Sequence, residues 1–128
     1  MQLSGIIPCL TIDGASAAID FYKKAFAADE LSRAPAEDGV RLMHAHIRIN
    51  GGDLYMWDLF PEFGMSTAAP TGTVVHIDVD DADAWWDRAV AAGAMVSMPL
   101  DNQFWGARYG QLKDPFGHTW SIGGPVKE

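Results

Sequence analysis

The sequence predicts an α+β fold made of two tandem βαβββ modules, which form a concave mixed sheet with the helices outside. The main observation is an internal repeat: IIPCLTID and ASAAIDFYKKAFAA are followed later by TVVHIDVD and DADAWWDRAVAAG. A repeat of roughly half the chain indicates one supersecondary unit that is used twice. The second observation is the segment FPEFGMSTAAPTG between the two copies, whose proline and glycine content suits a linker.

The first module is predicted at about residues 1–60. Its opening apolar run is bounded by Asp13 and Gly14, which is typical of a strand. A helix follows, because apolar residues recur at helical spacing, and Asp13 or Ser16 would cap its first turn. Three strands complete the module. The helix face is Ala18, Ile19, Tyr22 and Phe26, and the later strands are at about 29–35, 41–49 and 53–59.

The second module, at about residues 73–128, follows a linker at about 61–72. TVVHIDVD is again typical of a strand. Asp80 or Asp81 would cap the next helix, and Gly93 would end it. Its predicted face is Ala82, Trp86, Ala89 and Val90, and the later strands are at about 94–99, 105–112 and 118–123. The whole chain of 128 residues is expected to be one domain.

The composition argues against several classes of partner. The net charge is −8 with only nine Lys and Arg, so nucleic acid and membrane lipid are not expected. Such a charge commonly serves solubility, although it can also attract cationic small molecules. No apolar run has the length of a membrane span, and MQLSGIIPCL lacks the features of a signal peptide. With a single cysteine and therefore no internal disulfide, we expect a cytoplasmic protein.

Three strings carry a resemblance to a known family: IPCLTIDGASAAIDFYKKAF, HAHIRINGGDLYMWD and KDPFGHTWSI. In this order they resemble the vicinal oxygen chelate family, which groups glyoxalase I, ring-cleaving dioxygenases, fosfomycin-modifying enzymes and bleomycin-binding resistance proteins. They are most similar to its PhnB-like branch. The resemblance covers nearly the whole chain and implies the paired βαβββ fold and a homodimer, sometimes with exchanged modules. Membership of a fold family decides little about function.

The resemblance also implies where a metal would bind. In the metal-using members, the first and last strands of each module each supply an inward ligand, usually His or Glu. The matching positions here are Ile7, Met56, Val74 and Ser121, with Pro8 replacing Ile7 if the motif slips by one residue. None of these offers the imidazole or carboxylate that a divalent cation needs. We therefore expect no metal or other cofactor at this place.

Strand alternation predicts which side chains face the concave side instead. Polar and aromatic residues collect there on strands of both modules. Aromatic and apolar walls with a few converging polar groups are typical of a small-molecule pocket. The candidate ligand-binding residues are His44, His46, Met56, Asp58, His76, Asp78, Trp105, Tyr109, Gln111 and Ser121.

Two alternatives stay open for the same strands. His44, His46, His76 and Asp78 have the right chemistry for a displaced metal site, although hydrogen-bonded pocket or core histidines are more common. Cys9 and His76 occupy equivalent positions in the repeat, and a Cys–His pair would suggest a thiolate nucleophile. A buried cysteine that fills a small apolar space is the more common case. No catalytic residue is identified.

Three functions are compatible with these observations. The first, which the missing ligands and the aromatic content favour, is a metal-free protein that binds a small, partly aromatic molecule. The second is a lyase, isomerase or dioxygenase that uses a displaced divalent metal or acid–base chemistry by His76, His46 and Tyr109. The third is a degenerate relative with a structural or regulatory role.

Overall fold

The computed structural model of the chain describes residues 3–128, so the predicted start of the first module, at about residue 1, lies outside the described residues. Within them, two successive βαβββ units confirm the predicted α+β fold. The first unit consists of β1 (Cys9–Ile12), α1 (Ala15–Phe26), β2 (Asp29–Pro35), β3 (Leu42–Ile49) and β4 (Gly52–Asp58). The second consists of β5 (Val74–Asp78), α2 (Ala82–Ala92), β6 (Met95–Asn102), β7 (Arg108–Lys113) and β8 (Thr119–Gly124).

Each unit forms its own four-stranded sheet. The strand orders are β1-β4-β3-β2 and β5-β8-β7-β6, so the two sheets have the same topology. In each, the first and last strands of the unit pair in parallel and the other pairs are antiparallel. A short 3-10 helix, Pro61–Phe63, lies in the connection between the sheets. No helix among residues 3–128 is long and apolar enough to cross a membrane.

Each helix packs one apolar stripe onto the sheet of its own unit, and the two helices also contact each other. The predicted stripe of α1 is fully buried, whereas Val90 of α2 is 40% exposed, so its assignment to the buried face was wrong. The indole of Trp86 takes up the space between α2 and its sheet. A Cβ atom added at Gly110 would come within 2.6 Å of Trp86 Cζ3, so a glycine is needed at this point of β7.

The two helices begin in different ways. Asp81 caps α2 as predicted, because its carboxylate accepts a hydrogen bond from Ala84 N at 3.1 Å. The predicted cap of α1 was wrong: Gly14 occupies the N-cap position and no nearby side chain caps the helix. Instead Asp58, at the end of β4, accepts hydrogen bonds from Gly14 N and Ala15 N, both at 3.0 Å. The cap therefore comes from a residue distant in sequence.

A buried carboxylate joins the two units. Asp114, between β7 and β8, is 4% exposed, and its Oδ1 accepts hydrogen bonds from the backbone N–H groups of Phe116 and His118. Its Oδ2 accepts from the Tyr22 hydroxyl of α1 at 2.5 Å and from Trp120 Nε1 at 2.9 Å. Burial, followed by the charge of Asp114, raises the pKa of Tyr22 far above its usual range. The phenol therefore stays a hydrogen-bond donor at ordinary pH.

Aromatic packing surrounds this carboxylate. The ring centroids of Phe26 and Trp120 are 4.6 Å apart, and those of Tyr22 and Trp120 are 5.0 Å apart. Near this cluster, His118 Nε2 contacts the carbonyl oxygen of Thr11 at 3.0 Å. The units are thus joined mainly through α1, α2 and β8, and Asn50 Nδ2 of the β3–β4 turn also donates a hydrogen bond to Asp78 O of β5 at 2.6 Å. The face of each sheet that is turned away from the helices, which we call its open face, is not used for this contact.

Tyr22→Phe should lower the free energy of unfolding by about 1–2 kcal/mol, because the buried Asp114 oxygen loses a donor while its other hydrogen bonds remain. Urea unfolding monitored by circular dichroism would measure the change. Tyr109→Phe is the matched control, since that hydroxyl only accepts a hydrogen bond from Gln111 at a half-buried position. An equal loss in both variants would contradict the role given to Tyr22.

Tyr22→Phe should also alter how the free energy of unfolding depends on pH in the alkaline range. Above pH 10.0, the usual tyrosine pKa, the unfolded chain releases a proton that folded Tyr22 retains. Stability should therefore fall as the pH rises above this value, by about 1.4 kcal/mol per pH unit for this proton. Tyr22→Phe should remove that part of the slope, and Tyr109→Phe should leave it in place.

Candidate functional site

The open face of the second sheet centres on His76 of β5. Its imidazole Nδ1 lies 2.7 Å from Ser121 Oγ of β8, and its Nε2 lies 2.7 Å from Asp78 Oδ1. The parallel register of β5 and β8 places His76 directly beside Ser121. Ser121 is 1% exposed, whereas the side chain of Asp78 is 90% exposed. One ring nitrogen therefore has a buried partner and the other has a partner in solvent.

Aromatic rings continue this face over β7. The ring of Tyr109 stacks on His76 with centroids 5.7 Å apart, and Trp105 meets Tyr109 edge to face at 5.6 Å. Gln111 Nε2 donates a hydrogen bond to the Tyr109 hydroxyl at 3.0 Å. Trp105 is 53% exposed. This face contains a cavity of about 400 Å³. Its lining residues are Val74, His76, Asp78, Trp105, Ala107, Tyr109, Ser121, Gly123 and Gly124.

A glycine allows the imidazole to lie close to the sheet. A Cβ atom at Gly123 would be 2.7 Å from His76 Cε1 and 3.1 Å from His76 Nε2, so any side chain there would push the ring outward. Tyr109 covers the ring from β7. The position of His76 is therefore set by packing as well as by hydrogen bonds.

The open face of the first sheet carries a different cluster. The ring of Tyr55 lies between His44 and His46, with centroid distances of 4.7 and 4.9 Å. His46 Nε2 is buried and makes no hydrogen bond within the described chain, although Asp53 Oδ1 lies 3.4 Å away. Trp57 lies nearby on the same strand as Tyr55, and its Nε1 donates to Thr11 Oγ1 at 2.9 Å. This face therefore also combines aromatic rings with imidazoles.

Two of the sequence-predicted site residues point the other way. Met56 is 0% exposed and belongs to the hydrophobic core, and Asp58 is 4% exposed and caps α1. The cause is that the sequence analysis matched Met56 with Ser121, an error of one residue, and such a shift moves side chains to the opposite face of a strand. The strand pairs Cys9–Tyr55 and His76–Ser121 show that Tyr55, not Met56, is the counterpart of Ser121.

Tyr55 and Trp57 were consequently missed by the sequence analysis. Tyr55 and Trp57 alternate along β4 with Leu54, Met56 and Asp58, so the two sets face opposite sides of the sheet. Because both sets contain large apolar residues, the alternation did not indicate which set is buried. Of the predicted residues, His44 and His46 lie on the first open face. The second open face holds His76, Asp78, Tyr109, Gln111 and Ser121, with Trp105 in the loop before β7.

The donor atoms do not fit the metal that the family resemblance implies. With the register corrected, the four positions are Ile7, Tyr55, Val74 and Ser121, which offer two hydrocarbons, a phenol and a hydroxyl. These are poor ligands for a divalent cation. Across residues 3–128, no three His, Cys, Asp or Glu side chains come together as a metal site.

The residues of the displaced metal site and of the Cys9–His76 pair, both considered from the sequence, also lie apart in the structure. His44 and His46 belong to one sheet, while His76 and Asp78 belong to the other, so this chain does not gather them at one point. Cys9 is exposed rather than buried, and its thiol contacts the carbonyl oxygen of Ile7 at 3.6 Å. Both ring nitrogens of His76 have oxygen partners instead of this thiol.

The paired units and their strand order define a glyoxalase-type protein. The chain belongs to the Glyoxalase/Bleomycin resistance protein/Dioxygenase superfamily, whose family model matches residues 7–122. It is 49% identical to the uncharacterized protein Mb0911c of Mycobacterium bovis over 94% of this chain and 83% of that protein.

Solved structures agree with this assignment. TioX from Micromonospora sp. ML1 is 27% identical, with a TM-score of 0.76 and 98% of each chain covered. A PhnB protein from Bacillus cereus is 18% identical, with a TM-score of 0.75 over 97% of this chain and 100% of that one. At that identity the likeness concerns the fold alone.

Asp58→Asn should destabilise the protein by about 2–3 kcal/mol, because the carboxylate accepts from Leu42 N as well as from the two helix N–H groups. Urea unfolding would measure this. Asp53→Asn is the matched control, since its pairing with Arg48 is half exposed and should contribute less than about 1 kcal/mol. Equal effects would contradict the assignment of Asp58 to the helix cap.

Proposed function

We propose that the protein binds a small, partly aromatic molecule in a metal-free cavity on the second open face. The observation that carries this proposal is the aromatic wall of Trp105, Tyr109 and His76 beside the exposed carboxylate of Asp78. Pockets of several hundred Å³ with aromatic walls and a few polar groups are typical of small-molecule sites.

The charges near the cavity favour a cationic ligand. The Asp78 carboxylate contacts His76, and no Lys or Arg pairs with it among the described residues. Arg108, the nearby guanidinium on β7, is held by Asp83 through two hydrogen bonds of 2.9 Å. A ligand cation beside Asp78 could rest on the rings of Trp105 and Tyr109, which attract positive charge. The net charge of −8 would assist its approach.

We also propose that a second copy of the chain completes the cavity. Val74, Met98 and Trp105 are 43%, 39% and 53% exposed, which leaves apolar surface around the second open face. The first open face adds aromatic rings that another chain could bring opposite to it. Such a homodimer would enclose a ligand between two sheets. A cytoplasmic location remains a prediction from the sequence.

The binding proposal is tested with 9-aminoacridine, a planar aromatic cation, by the anisotropy of its own fluorescence. We expect saturable binding in the micromolar range. Trp105→Ala should weaken it about tenfold, equivalent to about 1.4 kcal/mol, because a stacking surface is lost. Asp78→Asn should weaken binding of the cation but not of acridone, its neutral planar relative.

Phe104→Ala is the matched control for this titration, since Phe104 is 96% exposed beside Trp105 and lies outside the cavity lining. The proposal fails if the dye does not saturate in the micromolar range. It also fails if the two aromatic variants weaken binding equally.

The dimer is tested by size-exclusion chromatography with light scattering. We expect twice the mass of the 13.9 kDa chain. Val74→Arg should shift the protein toward monomer, because it places a charge on the second open face. Val90→Arg, at a similarly exposed apolar position on α2, is the control that should remain dimeric. A monomeric wild-type protein would refute this part of the proposal.

A further inference from the structure

The two oxygen partners of His76 differ in how freely they can move. Ser121 is buried in the sheet, and its hydroxyl lies 2.7 Å from Nδ1. The Asp78 side chain is 90% exposed while it lies 2.7 Å from Nε2. A ligand in the cavity can displace an exposed carboxylate at little cost, whereas the buried hydroxyl stays in place. The Nε2 edge of the ring is therefore the edge that a ligand can reach.

The hydroxyl of Ser121 is compatible with both neutral forms of the imidazole. A serine hydroxyl can donate or accept a hydrogen bond, whereas a carboxylate only accepts. While Asp78 Oδ1 contacts Nε2, that nitrogen carries the proton and Ser121 donates to Nδ1. Once a ligand displaces Asp78, proton exchange with water lets Ser121 accept from Nδ1–H, so that the lone pair of the ring is on Nε2 and Nε2 can take up a proton. When Nε2 has gained that proton, the carboxylate of Asp78 is close enough to accept its hydrogen bond and to balance the new charge.

Packing holds the ring in this orientation. Tyr109 stacks on the imidazole, and the absence of a side chain at Gly123 lets the ring lie against β8. Trp105 and Tyr109 provide aromatic surface on the same side of the sheet as Nε2. A planar ligand that rests on these rings would carry its own edge toward His76. A base that is held in place beside a bound ligand is the arrangement that general-base catalysis requires.

We propose that His76 is a general base that removes a proton from a planar aromatic ligand with an acidic C–H bond, and that Ser121 is its positioning residue. In this step the C–H bond breaks, its proton moves to Nε2, and its electron pair stays on the ligand. Nδ1–H remains hydrogen-bonded to Ser121, and Asp78 returns to accept a hydrogen bond from Nε2–H when the product leaves. This activity rests on the proposed cavity but goes beyond binding.

The probe for this activity is 5-nitrobenzisoxazole, a neutral planar compound. Removal of its ring C–H proton leaves an electron pair that forms a nitrile as the N–O bond breaks, and the coloured phenolate product is followed by absorbance. We expect the wild-type protein to exceed an equal concentration of free imidazole by about tenfold or more, since a positioned base typically contributes about a hundredfold or more. The rate should saturate with probe, and 9-aminoacridine should inhibit it competitively.

Four variants separate the roles of the residues. His76→Gln keeps polar atoms for both oxygen partners but has no basic nitrogen, so its rate should fall to that of the buffer. Ser121→Ala should lower the rate, and Ser121→Thr, which restores the hydroxyl, should recover it. His118→Gln removes an imidazole that contacts the carbonyl oxygen of Thr11 and lies outside the cavity lining, and it is the matched control, which should retain the wild-type rate.

Each outcome of these measurements is decisive. An equal rate in wild type and His76→Gln, or an equal loss in His118→Gln and His76→Gln, overturns the proposal. If elimination is absent while 9-aminoacridine still binds, the general base is refuted and the binding function stands; if both are absent, the cavity itself is refuted. Should His76→Gln fail to fold, diethyl pyrocarbonate treatment of the wild type replaces it, and full acylation of His76 without loss of rate overturns the proposal.

Discussion

The interaction on which the rest of the structure depends is the buried carboxylate of Asp114. It receives hydrogen bonds from two backbone N–H groups, from the indole of Trp120 and from the hydroxyl of Tyr22. A carboxylate can be buried only when such donors satisfy it, and here one donor belongs to the other unit. The same group therefore shapes the turn before β8 and holds α1 against the second sheet.

This arrangement decides where function can lie. Because the units are joined on their helical sides, the face of each sheet that is turned away from the helices stays available to a ligand or to another chain. The histidines of the open faces consequently lie at two places, His44 and His46 around Tyr55 and His76 beside Ser121, instead of at one converging site. A metal at the family's usual position would meet hydrocarbon, phenol and hydroxyl groups, whereas His76 presents imidazole nitrogens with oxygen partners.

Sequence reasoning was most successful where the signal is local. The helix start at Asp81 and the helix end at Gly93 depend on side chains and backbone angles within one turn. It failed where the signal is distant: the residue that caps α1 is Asp58, 43 positions beyond Ala15. It also failed at Met56, since this residue was matched with Ser121 one position away from the true counterpart, and such a shift reverses the face of a strand.

The sequence by itself determined the repeated unit, the order of its elements and the family, because these follow from hydrophobic periodicity and short motifs. Only the tertiary structure decided that Asp58 and Asp114 are structural carboxylates and that Tyr55 and Trp57 face outward. It alone placed His76 between Ser121 and Asp78. The physical reason is that hydrogen bonds between distant strands depend on strand register and on how the two units pack. Neither can be inferred from the spacing of residues along a short segment of sequence.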